Sequence, residues 1–284
     1  MILPGLLLIL YFGYVPIFGN VLAFMNYKPL LGLAGSKWVG FQNFVYVYSL
    51  PNSVQVIWNT VYIAVMKIVL GLVVPIIITL LMNEAANRTF KRGLQTIIYM
   101  PHFMSWVILG GIFLNLLSLQ GPLNAIITAL GAEPVFFLGN KSVFPFTIVF
   151  TDVWKEAGFS TIVYMAALTS IDPTLYESAA MDGANRLRMT WHITLPGMLP
   201  IIVLLGTLSL GNVLNAGFEQ IFTLYSPQVY QTGDILDTFT YRLGILQAQY
   251  GPATAVGLFK SAISCIMISF SYYLAAKFAN YRIF

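Results

Sequence analysis

The sequence predicts an all-α membrane protein of about six transmembrane helices, forming a single domain over residues 1–284. Three observations carry that prediction. Hydrophobic residues make up 58% of the chain and charged residues 8%, against roughly 25% charged in ordinary soluble proteins. Apolar stretches long enough to cross about 30 Å of hydrocarbon, which takes about 20 helical residues, occur six times. Helix breakers stand where those stretches should end or bend: Pro51, Pro101, Gly121-Pro122, Pro173, Pro196, Pro200 and Gly251-Pro252.

The first stretch, 2–24, has no basic residue before it and no small-residue cleavage site, so it reads as a retained span rather than a signal peptide. The second, 54–82, holds Pro75 as an internal kink. The third is 97–119, the fourth 144–170, the fifth 199–224 and the sixth 253–277. The segments 83–96 and 171–198, with the C-terminus, carry seven basic residues: Arg88, Lys91, Arg92, Arg186, Arg188, Lys277 and Arg282. The opposite side has four, Lys28, Lys37, Lys141 and Arg242. Cytoplasmic loops are enriched in Lys and Arg, which places both termini and the 171–198 loop in the cytoplasm. No low-complexity tract, internal repeat or interdomain linker divides the chain.

Several function classes fall away on composition. The 14 basic residues are scattered, without the basic face that binds nucleic acid. A lone cysteine, Cys265, excludes a disulfide within the chain and reads as a small packed side chain. His102 and His192 sit in separate elements without metal-ligand spacing and read as structural or interfacial. No Gly-x-x-x-x-Gly-Lys-Ser/Thr loop is present to cradle nucleotide phosphates, so the chain carries no motor of its own.

The polar interruption at 171–198 is the most informative segment. Asp172-Pro173 is a helix start, a capping carboxylate followed by proline at the first helical position. Gly183 is a natural stop, because glycine accepts the left-handed conformation that closes a helix. Tyr176, Ala179, Ala180 and Gly183 should share a face at three- and four-residue spacing, with Glu177 beside it, offering small residues and one carboxylate to a docking partner. A helix lying on lipid headgroups would instead carry more basic and bulky apolar residues than this strip does.

Glu177-Ser-Ala, then Gly183, then Ile193-x-Leu195-Pro196 resembles the "EAA" loop of permease subunits in bacterial ABC importers. Ser178 replaces the first alanine, small for small. The likeness extends to Asp152-Val-Trp-Lys155, Gly217-Phe-Glu-Gln220, Ala255-Val-Gly-Leu-Phe259 and the terminal Ala279–Phe284, which resemble maltose-type sugar permeases of the branch importing complex oligosaccharides and alginate-like polysaccharides. The resemblance implies the type I importer permease fold, a bacterial cytoplasmic membrane location and import of a carbohydrate. It implies four kinds of partner: a second, similar permease in a heterodimer, two ATPase subunits that bind the ATP and Mg, an external solute-binding protein and the sugar. It also makes the 171–198 loop a coupling helix, with Glu177, Ala179, Asp182 and Gly183 meeting the ATPase and Leu195-Pro196 beginning the next span.

Charges within hydrocarbon are costly and point to a cavity or a partner. Asp152, Lys155 and Glu156 share a face of the fourth span, with Phe159 a turn further in. Ser209, Asn212 and Glu219 are expected on one face of the fifth, close to Asn215. Amides, hydroxyls and an aromatic plate suit a sugar, and the family's transmembrane site draws on these two spans near Phe159, Ser209, Asn212 and Asn215. The same polar groups also serve simply to bind neighbouring helices, and Glu156 to balance Lys155. Lys67 and Lys260 are expected to pair internally or snorkel, although Lys260 on the path would receive a carboxylated sugar. Two other readings compete. A proton- or sodium-coupled carrier would use Asp152, Glu156 or Glu219 but leaves the docking loop without purpose, and an intramembrane enzyme would need a nucleophile or metal cluster beside its carboxylates.

Overall fold

A computed structural model describes residues 2–85 and 87–278. Four helices are long and apolar enough to cross a membrane: Leu3–Phe24, Ser53–Glu84, Arg186–Gly211 and Tyr250–Tyr273. They correspond to the expected first, second, fifth and sixth spans. The fourth span is the helix Phe144–Thr169, whose 26 residues reach about 39 Å at 1.5 Å per residue. It carries Asp152, Lys155 and Glu156 and is the most deeply packed helix of the molecule. The terminal motif at residues 279–284 and Arg282 lie outside the described residues.

The second and fourth spans pack side by side along their length, and the fifth packs on the last. Their shared core is built from β-branched and aromatic side chains, among them Ile63, Phe144, Ile148, Val149 and Ile221. A smaller cluster around Tyr164, Ala167 and Met198 closes the other end. Pro75 is buried within the second helix, which runs through it unbroken.

Two expected spans differ from continuous helices. The third, expected over 97–119, is two pieces, Thr89–Phe103 and Trp106–Leu116, bent by 106°. Pro101 lies in a turn of 3₁₀ helix, Met104 is extended, and the Ser105 hydroxyl accepts from the Ile108 amide to cap a new helix. That combination removes the regular hydrogen-bond ladder and starts another in a new direction. The fifth, expected over 199–224, ends at Gly211. Residues 212–217 are irregular, Gly217 adopts a left-handed φ of 93°, and a separate short helix follows at Phe218–Leu224. Buried backbone freed in this way needs partners, and side chains of the second span supply them, as described below.

The ends of the spans are ordered by polar knots. Arg186 pairs with Glu84, tying the start of the fifth helix to the end of the second. At the far end of the second helix, Asn59 Nδ2 donates to the carbonyls of Gln231 and Asp234 at 3.1 Å, and Thr60 Oγ1 accepts from the Leu236 amide at 2.9 Å. Asp234 in turn holds Arg242, whose guanidinium lies 4.7 Å from the Tyr230 ring centroid. The segment between the fifth and last helices is therefore latched to the end of the molecule opposite residues 171–198. Cys265, expected to be packed, is exposed on the outside of the last helix.

Candidate functional site

The loop helix forms at Pro173–Met181 as its sequence dictates. Asp172 Oδ1 accepts from the Thr174 amide at 2.9 Å, and that backbone hydrogen bond holds its carboxyl below the ordinary aspartate pKa. At the other end Gly183, φ 75°, donates to the Ala180 carbonyl at 3.1 Å and Ala184 to the Ala179 carbonyl at 2.9 Å. This pair of bonds is the Schellman closure that a left-handed glycine permits. Asn185 then accepts from the Arg188 amide and starts the next helix at once.

That next helix runs without interruption from Arg186 to Gly211. Leu195 and Pro196, expected to begin the span, lie within it, just after a widened π turn at Thr190–Thr194. The widened turn accommodates the missing proline amide.

The expected shared face also needs correction. Tyr176 turns inward, its hydroxyl 3.0 Å from Thr194 Oγ1, and half-buried Ala179 lines a groove with Arg188 and His192. The outward face of the helix carries Glu177, Ser178 and Met181, and Gly183 and Asp182 are exposed beside it. Met181 is 89% exposed and Leu187, a turn into the next helix, 68%. These two apolar side chains belong to the protruding surface. Their signal in the sequence was only an apolar residue out of phase with the inward positions.

Within the membrane segment, a cavity of about 340 Å³ is enclosed by the second, fourth and fifth helices and the irregular 212–217 segment. It brings together Glu156, Ser209, Asn212 and Asn215 of the expected path, with Lys67, Asp152 and Ser160. Ser160 was missed, although it follows Glu156 by four residues and so shares its face. Three expected residues are not in this cavity. Phe159 stacks on the His102 ring at 4.6 Å, Glu219 is exposed at the first turn of the separate helix after the break, and Lys260 pairs with Asp237. Glu219 leaves the face of Ser209 because the break at 212–217 ends the helical register that would have aligned them.

Each helix break is tied to the fourth span by charge. Lys67 Nζ donates to Asp152 Oδ1 at 3.0 Å, to the Ala216 carbonyl at 2.7 Å and to Gln220 Oε1. Gln220 Nε2 reaches the Ile148 carbonyl at 2.7 Å and Thr151 Oγ1 at 2.8 Å. At the other break Glu156 bridges Lys155 Nζ and His102 Nδ1, both at 2.7 Å, while Lys155 also donates to the His102 carbonyl. Lys67 and Lys155 are thus neutralised by Asp152 and Glu156. What faces the cavity beyond these pairs is hydroxyl and amide, chemistry for binding a polyhydroxylated solute rather than for bond breaking. Among the described residues no cluster of three metal-ligating side chains exists.

Comparison with known proteins agrees with this arrangement. Residues 71–280 match the family described as the binding-protein-dependent transport system inner membrane component. The chain is 42% identical over 285 residues to the polygalacturonan/rhamnogalacturonan transport system permease protein YteP of Bacillus subtilis, covering 100% of this chain and 89% of that protein. It is 40% identical over 285 residues to protein LplB of the same organism, covering 100% and 90%. Among solved structures it is similar to a chain of a bacterial ABC transporter involved in the import of the acidic polysaccharide alginate, with a TM-score of 0.90, 36% identity and coverage of 98% of this chain and 94% of that one. The helices, their breaks and these likenesses agree: the chain is a multi-pass membrane permease with the ABC importer fold, and it belongs to the binding-protein-dependent transport system inner membrane component family.

Proposed function

We propose that this permease imports oligosaccharides of an acidic polysaccharide, delivered by an external binding protein and driven by ATP hydrolysis on partner subunits. The observation that carries the reading is the cavity beside Asp152, with Ser160, Ser209, Asn212 and Asn215 offering donors and acceptors in the middle of an apolar bundle. The names of the relatives supply the substrate class: a polygalacturonan/rhamnogalacturonan permease and an alginate importer. The chain itself does no covalent chemistry.

In this reading the protruding helix Pro173–Met181 docks on an ATPase, with Glu177 and Asp182 as polar contacts and Met181 and Leu187 as apolar ones. Ala179, from its groove, sets the packing of the helix on the body, and Gly183 its closure. Leu195 and Pro196 lie in the continuous Arg186–Gly211 helix, so motion of the loop is passed straight to Ser209 and the cavity. ATP and Mg belong to two ATPase subunits, and a second, similar permease completes the path as a heterodimer. The basic residues of 83–96 and 171–198 put the docking helix and both termini on the cytoplasmic side of the bacterial inner membrane.

The test is uptake of oligogalacturonates into proteoliposomes holding the complete complex. ATP-dependent uptake that fails in Glu177→Ala and Gly183→Asp, with the assembled complex weakened, is the expected result. Uptake driven by a proton or sodium gradient without ATP would overturn it.

A further inference from the structure

A second polar cavity, of about 550 Å³, lies apart from the first, where the end of the first span meets the start of the last. This is the end of the molecule opposite the docking helix, because Glu84 at the other end of the second span is the residue paired with Arg186. Its walls carry the rings of Tyr27, Tyr46 and Tyr250 and the amides of Asn26, Gln42 and Gln249.

The walls are firmly built. Asn43 Nδ2 donates to the carbonyls of Ala23 at 2.8 Å and Met25 at 3.0 Å, and Met25–Asn26 pairs with Lys37–Trp38 as a small antiparallel ladder. Gly251 packs so closely that a Cβ there would stand 2.5 Å from the Met25 carbonyl oxygen. Tyr27 and Tyr250 meet edge to face at 5.9 Å.

Two costs sit in this corner without a structural return. Gln249 Oε1 is sealed from solvent and has no hydrogen-bond partner, although buried acceptors are normally satisfied. Ala248 beside it holds a left-handed φ of 54°, the one non-glycine among the described residues to do so. Strain of this kind gathers at binding sites.

An unpaired acceptor selects a ligand that brings a donor. Sugar hydroxyls do so, and the apolar faces of sugar rings rest on aromatic side chains such as these tyrosines. A lipid phosphate brings only acceptors, which Gln249 Oε1 repels, and the cavity offers it a single cation, Lys28.

We propose that this cavity is an outer carbohydrate subsite, in which Gln249 Oε1 accepts a sugar hydroxyl and the tyrosines flank the ring, holding the trailing end of an oligosaccharide while its leading end moves inward. The inference rests on the reading of the protein as a carbohydrate importer. A chain long enough to remain in the subsite during that movement gains from it, and a short one does not.

The experiment measures ATP-driven uptake by the complete complex in proteoliposomes, using galacturonate, mannuronate and maltose oligomers, each as a dimer and a hexamer. Gln249→Leu and Tyr250→Ala should raise KM for the imported hexamer about five-fold, the scale of one lost hydrogen bond, with the dimer, kcat and ATP hydrolysis unchanged. Gln249→Glu keeps the acceptor and should retain the wild-type KM. If Gln249→Leu fails to assemble, Gln42→Ala, at an exposed position, carries the same comparison. Equal effects on dimer and hexamer would overturn the subsite, as would an effect that follows the anionic lipid content of the vesicles. Hexamer uptake by the wild type with all variants unchanged overturns the subsite alone. No uptake of any oligomer by the wild type overturns the importer reading and the subsite with it.

Discussion

Lys67 shows how a charge is retained inside the bilayer without meeting solute. An ammonium has three donors, and Asp152, the Ala216 carbonyl and Gln220 take all three. Removing one partner of a buried pair leaves the other charge uncompensated, at a cost of about 3–5 kcal/mol, whereas replacing both by apolar residues is often neutral. Lys67→Met should therefore lower the melting temperature of the purified complex markedly, and Lys67→Met with Asp152→Leu should recover most of it. An unchanged melting temperature with transport lost would assign Lys67 to the solute instead. Gly183 is the second telling residue. A Cβ there meets nothing within 4 Å, yet φ is 75°, so Gly183→Ala pays about 1–2 kcal/mol in backbone conformation alone. The folded complex should survive that change while ATP-coupled uptake falls, as read by comparing thermal unfolding with transport.

The breaks matter most at the scale of elements. The bent third span rests on the fourth through Gly158, where a Cβ would stand 2.2 Å from the Ile98 carbonyl oxygen and 3.0 Å from Tyr99 Cα. Backbone does not yield as a side-chain tip does, so Gly158→Ala should destabilise the protein by about 1–3 kcal/mol. Gly257→Ala, in the last helix with nothing within 4 Å of its Cβ, should be neutral or slightly stabilising through helix propensity. Thermal unfolding of the two variants side by side checks the contrast. On the docking helix, Met181 projects outward with Glu177, so Met181→Asp should reduce co-purification of the ATPase without altering thermal stability. The position of the loop helix was legible because capping is local: Asp172, Pro173 and Gly183 specify its ends within a dozen residues. The break after Gly211 was not, because hydropathy continues through Val213, Leu214 and Ala216, all buried, while the backbone turns away.

For the whole molecule, orientation is the property with the widest consequence. The single native cysteine, Cys265, allows a clean test. In a Cys265→Ser background, Ser226→Cys should react with a membrane-impermeant maleimide in intact cells, and Ser178→Cys only in inverted vesicles. The reverse pattern would put the docking helix outside and exclude an ATPase. Large apolar faces of the first and last spans remain exposed, including Leu7, Phe18, Ile266 and Phe270, as expected where lipid and a second permease take the place of water.

The sequence by itself determined the class of solvent, the approximate spans and the docking helix, since bilayer length, hydropathy and capping all act over short stretches of chain. It also identified Glu156, Ser209, Asn212 and Asn215 as polar groups needing a reason within hydrocarbon. Which polar residues meet was decided only by tertiary structure. Lys67 reaches Ala216 and Gln220 across about 150 residues of sequence, and Gln249 meets Tyr27 and Gln42 only where the first and last spans converge. Such meetings depend on where helices break and which faces they turn to one another, and those follow from packing over the whole chain rather than from any local pattern.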